Sequence, residues 1–340
     1  MCSSDLAVIG ISCRFPGAED KYAYWQLLKD GVDAISKVPA DRWAQDRFSD
    51  TQPGKTTSEW GGFLSGIDQF DPWFFGISPA EAEQIDPQQR LLLELSYEAL
   101  QDAGKDPAKM KGSATGVYVG ISVNEYSLRQ FNDPLSIISH SGTGSALSIA
   151  ANRISYQYDF KGPSMAIDTA CSSSLTAIHQ ACKSLRSGEC DLAIAGGVNM
   201  ILSPAHSIAF GKAGVLAADG RCKTFDAGAD GYVRGEGGGL IILKPLSAAI
   251  ADRDRIYACL NGSAINQDGR SNGLMAPNRV SQEALLTEAC NKAGISPDQV
   301  QYVEAHGTGT LLGDQMEASA IGAVMGNSHK IGRASCRERV

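Results

Sequence analysis

Apolar and polar positions along the chain fall into two alternating rhythms: short β-branched runs, and longer stretches with apolar residues three and four apart. The first kind predicts buried strands and the second amphipathic helices, so their alternation reads as an α/β fold. The clearest unit surrounds a single cysteine. Gly162-Pro163 makes a turn, SMAIDTA (164–170) predicts a short buried strand, and Leu175, Ile178, Cys182 and Leu185 mark one face of a helix. Gly188 stops that helix, and DLAIAGGV (191–198) predicts the next strand. Strand, helix, strand implies parallel pairing with a right-handed crossover.

The pattern also hints at duplication. YEALQDAGKDP precedes TGVYVG (115–120), and TEACNKAGISP precedes VQYVEAHG (300–307). Each is a helix ending in Ala-Gly, a proline three residues after the glycine, and then a predicted strand. Gly104 and Gly294 fit helix C-caps, while Pro107 and Pro297 prevent the helix from resuming. The expectation is two related α/β halves that share one core, since no low-complexity linker separates them.

Composition narrows the function classes. A chain of 340 residues, 43% of them hydrophobic, can bury a large core. Its net charge of -8 and lack of a Lys/Arg stripe argue against nucleic acid or an anionic membrane surface as partner. No apolar run reaches the roughly 18 residues of a membrane helix. The N-terminus has no charged-then-apolar signal pattern, so a cytoplasmic location is expected. Nine cysteines, scattered without a CxxC pair, suit reduced thiols better than a disulfide frame. No metal-ligand spacing occurs.

Candidate chemistry then centres on Cys171, in IDTACSSSL (167–175). It falls where a strand ends and a helix begins, where backbone N–H groups and the helix dipole favour a thiolate nucleophile. Small neighbours leave room for a substrate carbonyl, and the Cys171 N–H could help hold an oxyanion. A cysteine that packs as a small hydrophobe has the same local pattern. Of five histidines, His306 ends the predicted strand VQYVEAH and opens the turn GTGT, at a strand's C-terminal end where α/β proteins build sites; a structural histidine would look the same. His179 lies in the helix after Cys171, and His140 and His206 in polar, turn-like surroundings. Gly307, Gly309 and Gly313 lack dinucleotide spacing, and RGEGGG (234–239) precedes a strand, so both glycine groups read as close backbone packing rather than phosphate cradles.

With these residues in hand, the chain resembles the β-ketoacyl synthase family, most closely the ketosynthase domains of modular type I polyketide synthases. The resemblance rests on VIGISCRFPGA, on FDPWFFGISPAEAEQIDPQQRLLLELSYEALQDAG (70–104), on GTGSALSIAANRISYQYDFKGPSMAIDTACSSSL (142–175), on DGRCKTFDAGADGYVRGEG (219–237), on NQDGRSNG and on EAHGTGT, in that order. It covers roughly residues 7–330. It implies a thiolase-like fold of two related α/β halves in alternating layers, and a decarboxylative Claisen condensation. Cys171 would carry the acyl chain, His306 would stabilise charge on a malonyl-type extender, and Thr308 and Thr310 would contact the phosphopantetheine arm of an acyl carrier protein. No cofactor bound to the chain is implied, and a homodimer is. The cysteine points to an extending rather than a decarboxylation-only loading domain.

The chain departs from the family pattern after EAHGTGT. A second histidine in a GH motif and a preceding lysine have no match; His329 falls too early and lacks the glycine. Gln315 stands for a usual proline and Met275 for a usual threonine. The expected organisation is an N-terminal half at 7–248 carrying the cysteine and a C-terminally truncated second half at 249–330, so that the chain as given is expected to be an inactive fragment that cannot complete condensation. Residues 1–6 and 331–340 (CSSDL and IGRASCRERV) read as translated sequencing adapter. A single-domain fatty-acid condensing enzyme, a non-catalytic carrier-binding or dimer-forming fragment, and a cysteine hydrolase are the competing readings.

Overall fold

The computed structural model describes residues 5–43 and 59–326. His329 and the tail 331–340 lie outside the described residues. The regular elements begin with β1 (Leu6–Arg14), α1 (Lys21–Asp30), β2 (Ser36–Lys37), β3 (Trp60–Gly61), α2 (Pro79–Gln84), α3 (Pro87–Asp102), β4 (Thr115–Gly120), α4 (Glu125–Gln130), α5 (Ser141–Ser145) and α6 (Leu147–Tyr158). They continue with β5 (Ser164–Ile167), α7 (Ser173–Ser187), β6 (Leu192–Asn199), α8 (Ala205–Lys212), β7 (Gly237–Pro245), α9 (Leu246–Ala251), β8 (Ala258–Leu260), α10 (Arg279–Ala293) and α11 (Leu311–Met325). Two compact units result: one from residues up to 25, 63–202 and 235–260, the other from 26–62, 203–234 and 261 onward.

The first unit is a mixed sheet of order β5-β4-β6-β7-β1-β8 with helices on both faces. β5, β4 and β6 run parallel, whereas β6–β7, β7–β1 and β1–β8 are antiparallel. Burial on two faces explains why β4 (TGVYVG) shows no polar alternation: all six residues are buried. The period of two survives underneath. Val117, Val119, Ile194 and Ile242 point into a core with α3 and α6, while Tyr118, Ala193, Ala195 and Leu243 face α7 through Ala177, Ala181, Cys182 and Leu185. Gly10 lets α3 lie close on β1, because a Cβ there would sit 2.8 Å from the Ala103 Cβ.

Three local expectations are corrected. β5 and β6 do run in the same direction, but they do not pair directly; both hydrogen-bond to β4, which lies between them. Of the expected α7 face, Cys182 and Leu185 are buried, but Leu175 is 71% exposed, and Ala177, His179 and Ala181 complete the buried side. Strand formation after Pro297 fails too. α3 and α10 end alike, with Gly104 and Gly294 at φ near 65° and the following N–H reaching back to Leu100 O (2.8 Å) and Cys290 O (3.1 Å). Short 3-10 turns then open at Pro107 and Pro297. But 300–307 forms no strand, unlike β4. A strand needs a neighbour for its backbone groups, and the only described strands of the second unit are the two-residue pair β2–β3.

Candidate active site

Cys171 belongs to the first unit. β5 stops at Ile167 because Asp168 turns the chain, its Oδ1 accepting the Ala170 N–H at 3.0 Å. Ala170 then takes φ 54°, a left-handed conformation rare for a residue with a Cβ. A single 3-10 turn (Ala170–Ser172) carries Cys171, and α7 starts immediately after it. Hydroxyls lace the turn together. Ser173 Oγ donates to Ala170 O (2.6 Å) and accepts the Thr169 N–H (2.9 Å), while Ser172 Oγ donates to Thr169 O (3.0 Å). The cysteine itself stays exposed, so it is not a small core hydrophobe. Four other cysteines (Cys13, Cys182, Cys190 and Cys290) are buried, and burial pushes the thiols of the first three up.

The position of α7 depends on Gly120. A Cβ on this last residue of β4 would lie 2.5 Å from Ser173 C, so only glycine lets the helix head approach the strand end. Gly196 does the same between β6 and β7, where a Cβ would lie 2.0 Å from Gly239 O. Close backbone packing at RGEGGG is found at Gly237, where a Cβ would lie 3.1 Å from Arg14 O.

His306, Thr308 and Thr310 lie together on one loop of the second unit, just before α11. Carboxylates from that helix hold its backbone. Glu317 accepts the His306 N–H (2.6 Å) and the Gly307 N–H (2.8 Å), one on each oxygen. Asp314, which is buried, accepts the Gly309 N–H (3.0 Å) and the Phe225 N–H (2.6 Å). Thr224 Oγ1 donates to Gly307 O (2.5 Å) and the Gly231 N–H to Gly309 O (2.9 Å). The loop's N–H groups therefore face carboxylates, an arrangement that repels phosphate and agrees with rejecting a nucleotide loop. His306 is exposed, and Thr308 and Thr310 share a hydroxyl hydrogen bond of 2.8 Å.

The remaining histidines differ in setting. His179 is buried in α7. His206 lies in helix α8 rather than a turn, its ring 6.2 Å from that of Phe210. His140 caps α5. Among the described residues no three His, Cys, Asp or Glu side chains group so as to hold a metal ion, and no described helix is long and apolar enough to cross a membrane. Asp168, Ser173, Asp314 and Glu317 escaped the reading of the sequence. Their signal was faint: small polar or acidic residues in the turn or helix next to a candidate residue.

Comparison with known proteins gives this geometry a family. The family described as "Beta-ketoacyl synthase, N-terminal domain" matches residues 3–249, and its C-terminal counterpart matches 257–337. Two different components of the phenolphthiocerol/phthiocerol polyketide synthase of Mycobacterium tuberculosis are similar to it, one 49% identical over 97% of the chain and the other 52% over 94%. The chain spans only 18% and 17% of their lengths. Among solved structures, an oxazolomycin ketosynthase domain from Streptomyces albus superposes with a TM-score of 0.92, at 42% identity over 96% of this chain and 57% of that one. The module 6 ketosynthase of the bacillaene synthase from Bacillus subtilis, as a cysteine variant, gives 0.89 at 42% identity, over 96% and 55%. With the mixed sheet, these likenesses establish the thiolase-like ketosynthase fold. The chain belongs to the β-ketoacyl synthase family.

Proposed function

We propose that this chain comes from the condensing domain of a polyketide-type synthase, a domain that joins acyl units by decarboxylative Claisen condensation. Cys171 thiolate attacks the carbonyl of an acyl thioester on the phosphopantetheine arm of an acyl carrier protein. The tetrahedral oxyanion collapses, the carrier's C–S bond breaks, and its thiol leaves with a proton. A malonyl-type extender on a carrier then loses carbon dioxide. The electron pair of the broken C–C bond passes to the α-carbon, and His306 stabilises the charge delocalised onto the thioester oxygen. That carbanion attacks the Cys171 thioester, the Cys171 C–S bond breaks, and the product is a β-ketoacyl chain two backbone carbons longer. Thr308 and Thr310 hydrogen-bond the carrier arm during the second half. The cycle is redox-neutral and proceeds in a homodimer.

The observation that carries this reading is an exposed cysteine on a left-handed turn at the head of α7, in a chain of this family. Intact-protein mass spectrometry after incubation with a short acyl pantetheine thioester is the test. One acyl group should load the chain, and Cys171→Ala should stay unmodified. Equal labelling of both proteins, or loading followed by rapid release to the free acid, would refute the assignment; the latter marks a hydrolase.

A further inference from the structure

Three successive peptide units lead into Cys171, and different groups hold each of them. Residues 168–172 are exposed, whereas Ser173 beneath them is buried. The 169–170 unit is held at both ends. Asp168 Oδ1 accepts the Ala170 N–H at 3.0 Å, and Ser172 Oγ donates to Thr169 O at 3.0 Å. Ser173 holds the units on either side. Its Oγ accepts the Thr169 N–H of the 168–169 unit (2.9 Å) and donates to Ala170 O of the 170–171 unit (2.6 Å). The Ser173 N–H donates to the same oxygen. A hydroxyl has a single proton, so this one is fully committed to the turn.

The 170–171 unit matters because its other end is the Cys171 N–H. In a trans peptide the C=O and N–H point in opposite directions. Ser173 draws Ala170 O in toward α7, so the Cys171 N–H is turned out of the helix head. That N–H has no acceptor among the described residues. An outward donor on the nucleophile's own residue suits the oxyanion that forms when the sulfur adds to a thioester carbonyl. Neither the Asp168 nor the Ser172 side chain hydrogen-bonds to this unit.

We propose that Ser173 is a positioning residue for acyl loading, an assignment that rests on Cys171 as the acyl carrier proposed above. Its hydroxyl sets the Ala170–Cys171 peptide so that the Cys171 N–H meets the oxyanion. In that step a C–S bond forms and the carbonyl π pair moves to oxygen. Its return expels the pantetheine thiolate, which takes a proton from water. Iodoacetamide supplies the comparison, because the same sulfur then displaces iodide from a saturated carbon and no oxyanion forms. Both rates are measured on the full chain by mass spectrometry, with S-acetyl-pantetheine as acyl donor. Ser173→Ala should acylate about tenfold to a hundredfold more slowly, while Cys171 alkylates within about twofold of the parent. Ser172→Ala and Ser173→Thr, which both keep a hydroxyl on Ala170 O, should acylate like the parent. Parental acylation in Ser173→Ala, or an equal fall in both rates, would overturn the proposal. So would slow acylation in Ser173→Thr with alkylation intact. That variant decides if alkylation of the buried Cys182 and Cys190 shows Ser173→Ala to be unfolded. A parent that alkylates at Cys171 yet never acylates would overturn the acyl-carrier reading itself, and the Ser173 assignment with it.

Discussion

Ala170 shows what the nucleophile's turn demands of a single residue. A left-handed φ with a Cβ costs roughly 1–2 kcal/mol, held here by the Asp168 and Ser173 hydrogen bonds. Ala170→Gly should keep acyl loading on Cys171, whereas Ala170→Val should lose roughly 1–3 kcal/mol of stability and most of the loading. Thermal melts and mass spectrometry read both. Asp86, which caps α3 through the Gln88 N–H, offers a second residue-scale test. Burial pushes its carboxyl up to about 6, against the two hydrogen bonds from Gln88, and nearby Glu125 adds to the rise. The folded state therefore binds this proton more tightly than the unfolded chain, and stability falls as pH rises from about 4 to 6. Asp86→Asn keeps the cap and should recover roughly 3 kcal/mol of that loss at neutral pH, seen as a flatter denaturant midpoint across the window. At this scale the local pattern around Cys171 left its exposure open, since a core cysteine has the same pattern; the family motif around it singled it out. Ala170 was not legible, since nothing in an alanine announces a positive φ. Asp314 and Glu317 were hidden because their partners are backbone N–H groups, which every residue carries.

Elements were readable where burial on both faces or a glycine cap left a mark, as in β4 and at the ends of α3 and α10. The side of a helix that faces inward was less so. Leu175 satisfies the apolar spacing yet points outward, while α7 packs on the sheet through Cys182 and Leu185 together with two alanines that the spacing overlooked. The strand expected at 300–307 depended on a neighbour, and periodicity within one segment carries no record of neighbours. Contact between α7 and β4 is equally non-local, and it rests on one missing methyl. Gly120→Ala should shift the helix head and slow acyl loading of Cys171 more than it lowers the melting temperature. A variant that loads at the parental rate would show that the turn's own hydroxyl lacing suffices.

Over the whole molecule, distant segments are joined by charges that the family motifs do not include. Lys105, just past α3, and Lys244, on β7, both donate to Asp254, and Lys244 also pairs with Asp252. Burial raises the Asp254 carboxyl, but the two lysines outweigh it and hold it below the usual range. Its contribution is therefore present at neutral pH and is lost as acid protonates it. Asp254→Asn would leave Lys105 without its carboxylate and Lys244 with Asp252 alone, and should cost roughly 3 kcal/mol, measurable by denaturant unfolding. The paired change Asp254→Leu with Lys244→Met should cost much less.

The strand order has a consequence for how such a chain is made. Within this chain β1 is translated before its sheet partners, yet its place is between β7 and β8, and its register is set residue by residue against 238–245. The sheet cannot close until more than two hundred further residues have been translated. Throughout that interval the opening apolar strand, LAVIGIS, has no native partner on either edge. Nascent chains of this topology are therefore clients for whatever shields unpaired apolar strands during synthesis, and the speed of translation becomes part of their folding.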